Sequence, residues 1–182
     1  MPAISDAKIL MIATDGYEDS ELLETRRLLE QRGADVTLAS PKMEEIKGDK
    51  GATAKPDTTI DQFDASDFDA LVLPGGVANP DKLRMNEKVV NTVATFARSG
   101  RPVAAICHGP WLLVEADVLK ARKATSWPSI RTDLRNAGAE VLDQEAVTDG
   151  NIVTSRKPAD IPAFVEAIAQ VLEKADAPLE TA

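Results

Sequence analysis

The chain has 182 residues, enough for one domain with a real core, and its 43% hydrophobic and 28% charged residues mark an ordinary globular protein rather than a disordered one. A net charge of −9 repels phosphate backbones, so neither general nor specific nucleic-acid binding is expected. No apolar run approaches the roughly 20 residues of a membrane span, Met1 to Lys8 has no basic stretch leading into an apolar one, and one cysteine excludes an internal disulfide, so no membrane association and a cytoplasmic location are expected.

Lys8–Ala13 is a short apolar run that predicts a buried parallel strand, followed by the turn Thr14-Asp15-Gly16. Glu21–Gln31 carries Leu22, Leu23, Leu28 and Leu29 at roughly helical spacing, and Gly33 ends it. Asp35–Ser40 predicts a second strand. Pro41–Asp69 mixes Lys, Gly, Asp and Thr and reads as loops and short edge strands. Ala70–Leu73 is a third buried strand, stopped by Pro74-Gly75-Gly76. A helix over Asn86–Ser99 is closed by Gly100, and Pro102–Ile106 is a fourth strand. Pro110–Leu119 predicts a helix with proline in its first turn, where the missing N–H costs nothing. Lys123–Trp127 is a short strand, and Ser129–Asn136 a helix ended by Gly138. Val141–Val147 and Asn151–Ser155 flank Asp149-Gly150, a strong two-residue turn signal. Ile161–Lys174 is the last helix, and Asp176–Ala182 reads as a loose tail. Strands alternating with helices imply an α/β fold, a mostly parallel sheet covered on both faces. There is no repeat, low-complexity block or dividing linker, so residues 1–182 read as a single domain.

In such sheets ligands bind at the carboxyl ends of the strands, beside the point where strand order reverses. Three loops fall there, and the sharpest is Cys107-His108-Gly109-Pro110, which runs from a buried strand directly into a helix. This is the pattern of a nucleophile elbow, in which a strained turn lifts one side chain clear of the sheet. The following helix N-terminus favours thiolate over thiol. The backbone N–H of His108 can face a developing oxyanion, and Gly75-Gly76 can supply a second. The alternative for Cys107 is a buried small hydrophobe. His108 is the only histidine. A glutamine-amidotransferase triad, which needs a second-half histidine, is therefore excluded, as is a structural zinc site. His108 is either a partner of Cys107 or a packing residue. Glu18 is either a charge at a helix N-terminus or a carboxyl beside the thiol. Trp127 walls the pocket or packs the core. No cofactor and no metal is expected.

The motifs Asp15-Gly16-Tyr17-Glu18-Asp19, Leu71-Val72-Leu73-Pro74-Gly75-Gly76, Ala105-Ile106-Cys107-His108-Gly109-Pro110, Thr125-Ser126-Trp127-Pro128 and Val153-Thr154-Ser155-Arg156 resemble those of the PfpI family of intracellular proteases and general stress proteins. That family sits within the superfamily of the parkinsonism-associated deglycase, on a class I glutamine amidotransferase-like fold. The likeness runs from about Lys8 to Glu173. It implies a flavodoxin-like three-layer sandwich assembling as a homo-oligomer, either dimer or hexamer. It implies Cys107 as nucleophile, His108 as its partner and Glu18 as the carboxyl that hydrogen-bonds the thiol. In protease-like members a neighbouring subunit's glutamate completes a triad; the matching position is Asp81, one methylene shorter. The activities implied are cysteine-dependent hydrolysis of peptides or deglycase and glyoxalase chemistry on small carbonyl substrates, in a stress-protective role. The alternative is a non-enzymatic oxidative-stress sensor working through oxidation of Cys107.

Overall fold

Period-two alternation in the first strand already divides the core. In β1 (Lys8–Ile12), Ile9 and Met11 enter one apolar cluster while Leu10 and Ile12 enter another on the opposite face. Both faces are covered, which is why the strand is apolar throughout rather than alternating with polar residues. The computed structural model describes residues 3–176. The chain continues through α1 (Asp19–Gln31), β2 (Asp35–Ser40), the two-residue strands β3 (Ile46–Lys47), β4 (Thr53–Ala54) and β5 (Thr58–Thr59), and β6 (Ala70–Leu73). Next come α2 (Ala78–Leu83), α3 (Glu87–Ser99), β7 (Val103–Ile106), α4 (Trp111–Glu115), β8 (Lys123–Ala124) and α5 (Arg131–Asn136). The chain then forms β9 (Glu140–Val141), β10 (Ala146–Asp149), β11 (Ile152–Ser155) and α6 (Ile161–Asp176).

Seven strands form the central sheet in the order β10-β11-β7-β6-β1-β2-β5. All neighbours are parallel except the β10–β11 hairpin, whose two strands pair antiparallel around Gly150. One face of the sheet carries α1 and α6, which pack on each other; the other carries α3, α4 and α5. This is the expected α/β sandwich. From β1 the chain moves outward to β2, whereas from β6 it moves the other way to β7, so strand order reverses between β1 and β6. The loops after β1, β6 and β7 meet at that reversal.

Several boundaries differ from the sequence reading for physical reasons. The helix expected over Pro110–Leu119 stops at Glu115, and Asp117 adopts φ 52°, which ends helical backbone. No element is expected between Gly76 and Asn86, where Asn79-Pro80 in the first turn conceals the six-residue helix α2. The strand expected over Val141–Val147 is two strands, β9 and β10, in different sheets. The strand expected over Lys123–Trp127 is only two residues long, because Ser126 and Trp127 turn toward the elbow, where the Trp127 N–H donates to the Cys107 carbonyl at 2.9 Å. The last helix runs to Asp176; the rest of the expected tail lies outside the described residues. Among the described residues no helix is long and apolar enough to cross a membrane.

Candidate active site

Cys107 has φ 63°, one of three non-glycine residues with positive φ among those described. This left-handed backbone is costly for a side chain with a Cβ and persists only where the surroundings hold it. They do: the Cys107 N–H donates to the Ser155 carbonyl at the end of β11 (3.0 Å), and the Cys107 carbonyl accepts from Trp127. The elbow predicted from sequence is therefore present, and it sets the thiol in a pocket of about 400 Å³. Glu18, Lys50, Gly76, Val77, His108, Trp127 and Ser129 also line that pocket. A second hollow of about 520 Å³, between Arg84, Glu87 and Glu115, shares none of these residues.

The elbow turns His108 back onto its neighbour. Nδ1 lies 3.2 Å from Cys107 Sγ, and Nε2 lies 3.2 Å from Ser129 Oγ. The ring is stacked on Trp127 at 6.1 Å and meets Trp111 edge-on at 5.3 Å. Burial lowers the His108 pKa, so the imidazole is neutral at neutral pH.

The two candidate glycines do different work. The Gly75 N–H is taken by Glu21 Oε2 at 2.9 Å. The Gly76 N–H, like that of His108, is directed at the Cys107 sulfur and favours its anion. Gly76 has φ 83°, and a Cβ there would stand 2.3 Å from the Gly16 carbonyl oxygen. Only glycine lets the β6 loop approach the β1 loop this closely.

The carboxyl that interacts with the thiol is Glu21, not Glu18. Glu18 is the N-cap of α1: its Oε2 accepts from the Glu21 N–H at 2.9 Å and from Ser20 Oγ at 2.5 Å, and its Oε1 pairs with Lys50. Burial alone would raise the Glu18 carboxyl, but these bonds from Lys50, Ser20 and the Glu21 amide hold it below the ordinary carboxylate range. Three residues later the helix points Glu21 inward, where it is fully buried. Its Oε1 lacks a fully formed hydrogen bond, and its side-chain neighbour is the Cys107 thiol. Burial, then the nearby Glu18 charge, raise Glu21 from 4.5 to about 8. The signal was readable: Glu21 shares a buried stripe with Leu22, Thr25 and Leu29, and a carboxylate there has to be paired or protonated.

The expectation of a ready thiolate is also corrected. Burial pushes the Cys107 thiol up, and Glu21, once ionised above about 8, pushes it further by its charge, against the pull of the Gly76 and His108 N–H groups. α4, only five residues long, has too small a dipole to reverse this. Asp81 lies exposed on α2 and is not part of the pocket lining. Trp127 does line the pocket, at 38% exposure. Sequence reasoning missed Ser129, Lys50 and Asn79. Asn79 is fully buried: its Oδ1 accepts from the Thr14 N–H (2.7 Å), and its Nδ2 donates to the Pro74 and Gly75 carbonyls (3.1 Å each), tying the β1 loop to the β6 loop. Among the described residues no cluster of His, Cys, Asp and Glu could hold a metal ion.

The same frame recurs in known proteins. The chain is 45% identical over 165 residues to "Deglycase TK1284" of Thermococcus kodakarensis, covering 91% of this chain and 99% of that protein. It is 44% identical over 170 residues to "General stress protein 18" of Bacillus subtilis, covering 92% and 98%. The crystal structure of Drosophila melanogaster DJ-1beta superposes with a TM-score of 0.86 at 32% identity, covering 92% of this chain and 90% of that one. The family model described as DJ-1/PfpI matches residues 7–171, a span that takes in all three loops of the elbow site, and the chain belongs to the DJ-1/PfpI family.

Proposed function

We propose that the chain is a stress-protective, cysteine-dependent enzyme of the deglycase type, acting on small carbonyl compounds and their early adducts with amines or thiols. The observation that carries this reading is the Cys107 elbow itself: a strained nucleophile with an imidazole nitrogen at 3.2 Å and two backbone N–H groups directed at its sulfur. Relatives named as deglycases at 43–45% identity support the substrate class. So does a pocket of about 400 Å³, which suits a small molecule better than a folded protein chain.

The chemistry follows from the resting protonation. The thiol holds its proton at rest, and the neutral imidazole beside it accepts that proton as Sγ adds to the carbonyl carbon. The carbonyl π electrons move to oxygen, where the Gly76 and His108 N–H groups stabilise the charge. For a free aldehyde the imidazolium proton passes to that oxygen and leaves a hemithioacetal. An amine adduct, a hemiaminal, first loses its amine: the C–N bond breaks, the hydroxyl electrons re-form C=O and His108 shuttles the hydroxyl proton to nitrogen, so that Cys107 meets the same aldehyde. Glu21, protonated near neutral pH, donates a hydrogen bond toward sulfur and adds no opposing charge.

The test is turnover by purified, reduced protein of methylglyoxal and of its fresh adduct with N-acetylarginine, read as loss of carbonyl and release of free amine. Cys107→Ser should abolish both, since a serine hydroxyl lacks a base strong enough to ionise it here. Wild-type protein that turns over neither compound, or a Cys107→Ser variant as active as wild type, overturns the reading.

A further inference from the structure

Two aromatic rings hold the plane of His108, yet neither Trp111 nor Trp127 decides which imidazole nitrogen carries the proton, because both contacts are made through ring faces and edges. That choice matters, since a neutral imidazole accepts from the thiol only through a bare Nδ1. Each nitrogen has one polar neighbour: Nδ1 faces Cys107 Sγ and Nε2 faces Ser129 Oγ, both at 3.2 Å. Among the described residues no carboxylate hydrogen-bonds to His108. The acidic group nearest in role, Glu18, is committed to Lys50, Ser20 and the Glu21 amide.

We propose that Ser129 is the positioning residue of the thiol–imidazole pair: its hydroxyl accepts the Nε2–H of His108 and so presents a bare Nδ1 to the Cys107 thiol, completing the constellation from within one chain. The inference rests on the enzymatic reading above. The geometry agrees with it: Nδ1 lies 3.2 Å from the sulfur as an acceptor for the buried S–H, while the other group at the thiol, Glu21, holds its own proton near neutral pH. The arrangement also survives the reaction. When the proton passes from Sγ to Nδ1, the imidazolium keeps its Nε2–H on Ser129, and only the Nδ1–H has to move on to the substrate oxygen. A hydroxyl orients the ring without adding the charge of a triad carboxylate, so the imidazole stays a weak base and releases the proton readily. Ser129 itself lies at the exposed edge of the pocket, where its loss removes one hydrogen bond and no core packing.

The experiment uses the whole protein in its native assembly. His108 is the only histidine, so one imidazole spin system appears in a long-range 1H–15N spectrum, and its two nitrogen shifts report the tautomer directly. Wild type should be predominantly the Nε2–H form. Ser129→Ala should mix the tautomers and lower kcat by about three- to tenfold, the worth of one neutral hydrogen bond, with KM little changed. Ser129→Thr should restore both signals. A wild-type Nδ1–H form, or a tautomer ratio untouched by Ser129→Ala, overturns the proposal. So does a ratio that follows Asp81→Asn and ignores Ser129→Ala, which would assign the role to a partner subunit. The spectrum needs no turnover, so a failure of the enzymatic reading leaves this test standing on its own.

Discussion

Replacing Glu21 by glutamine isolates the most unusual electrostatic feature of the fold. Glutamine keeps the shape, an oxygen to accept the Gly75 N–H and an N–H to face the sulfur, but it cannot ionise. In the folded protein Glu21 holds its proton up to a pKa of about 8, against 4.5 for an ordinary glutamate. The folded state therefore binds more protons than the unfolded state between those limits. The stabilisation is present in full below about 4.5 and is lost as pH rises through about 8. Within the window each pH unit costs about 1.4 kcal/mol, on the order of 5 kcal/mol in all for a fully buried group if the native state stays intact. The assay is urea unfolding of wild type and Glu21→Gln from pH 5 to 8, under reducing conditions and at one protein concentration, since assembly also shifts apparent stability. The glutamine variant should gain on wild type steadily as pH rises, because groups common to both cancel in the difference. Parallel curves across the window would refute the argument, showing that Glu21 is ionised in the native state or solvated well enough to titrate normally.

Gly76→Ala should destabilise by at least about 2 kcal/mol, because a left-handed backbone and a Cβ 2.3 Å from the Gly16 carbonyl cannot both be relieved without moving the loop. It should reduce turnover further, by misaligning an N–H directed at the sulfur; wild-type stability by urea titration would show that the two loops are not held this close. Asn79→Ala should cost about 2–4 kcal/mol, since it leaves the Thr14 N–H buried without an acceptor and frees the Pro74 and Gly75 carbonyls. A loss under about 1 kcal/mol would mean that water replaces the amide.

Much of the fold was legible because its signals are local. Apolar runs such as Ala70–Leu73 and Val103–Ile106 announce strands buried on both faces, and Asp149-Gly150 announces the hairpin. The elbow at Cys107 was legible too, since strand, cysteine, glycine and helix follow one another within a few residues. Element ends were less so: Ser126-Trp127 leaves its strand for a tertiary bond to the Cys107 carbonyl, and Asp117 closes α4 by a local left-handed turn bonded back to Leu113 and Val114. Local signals along the chain are enough for the layered α/β architecture and for a candidate nucleophile with an imidazole next to it. Folding alone brings Glu21 rather than Glu18 to the thiol, gives Gly75 to Glu21 and Gly76 to the sulfur, and sets Ser129 on the far side of His108. Residues 21, 75 and 107 meet because β1, β6 and β7 lie side by side and end at one edge, and Ser129 joins them from the segment after β8, which the Trp127 N–H ties to the Cys107 carbonyl. The protonation of Glu21 and Cys107 follows from burial, which a chain acquires only when its distant parts close over it.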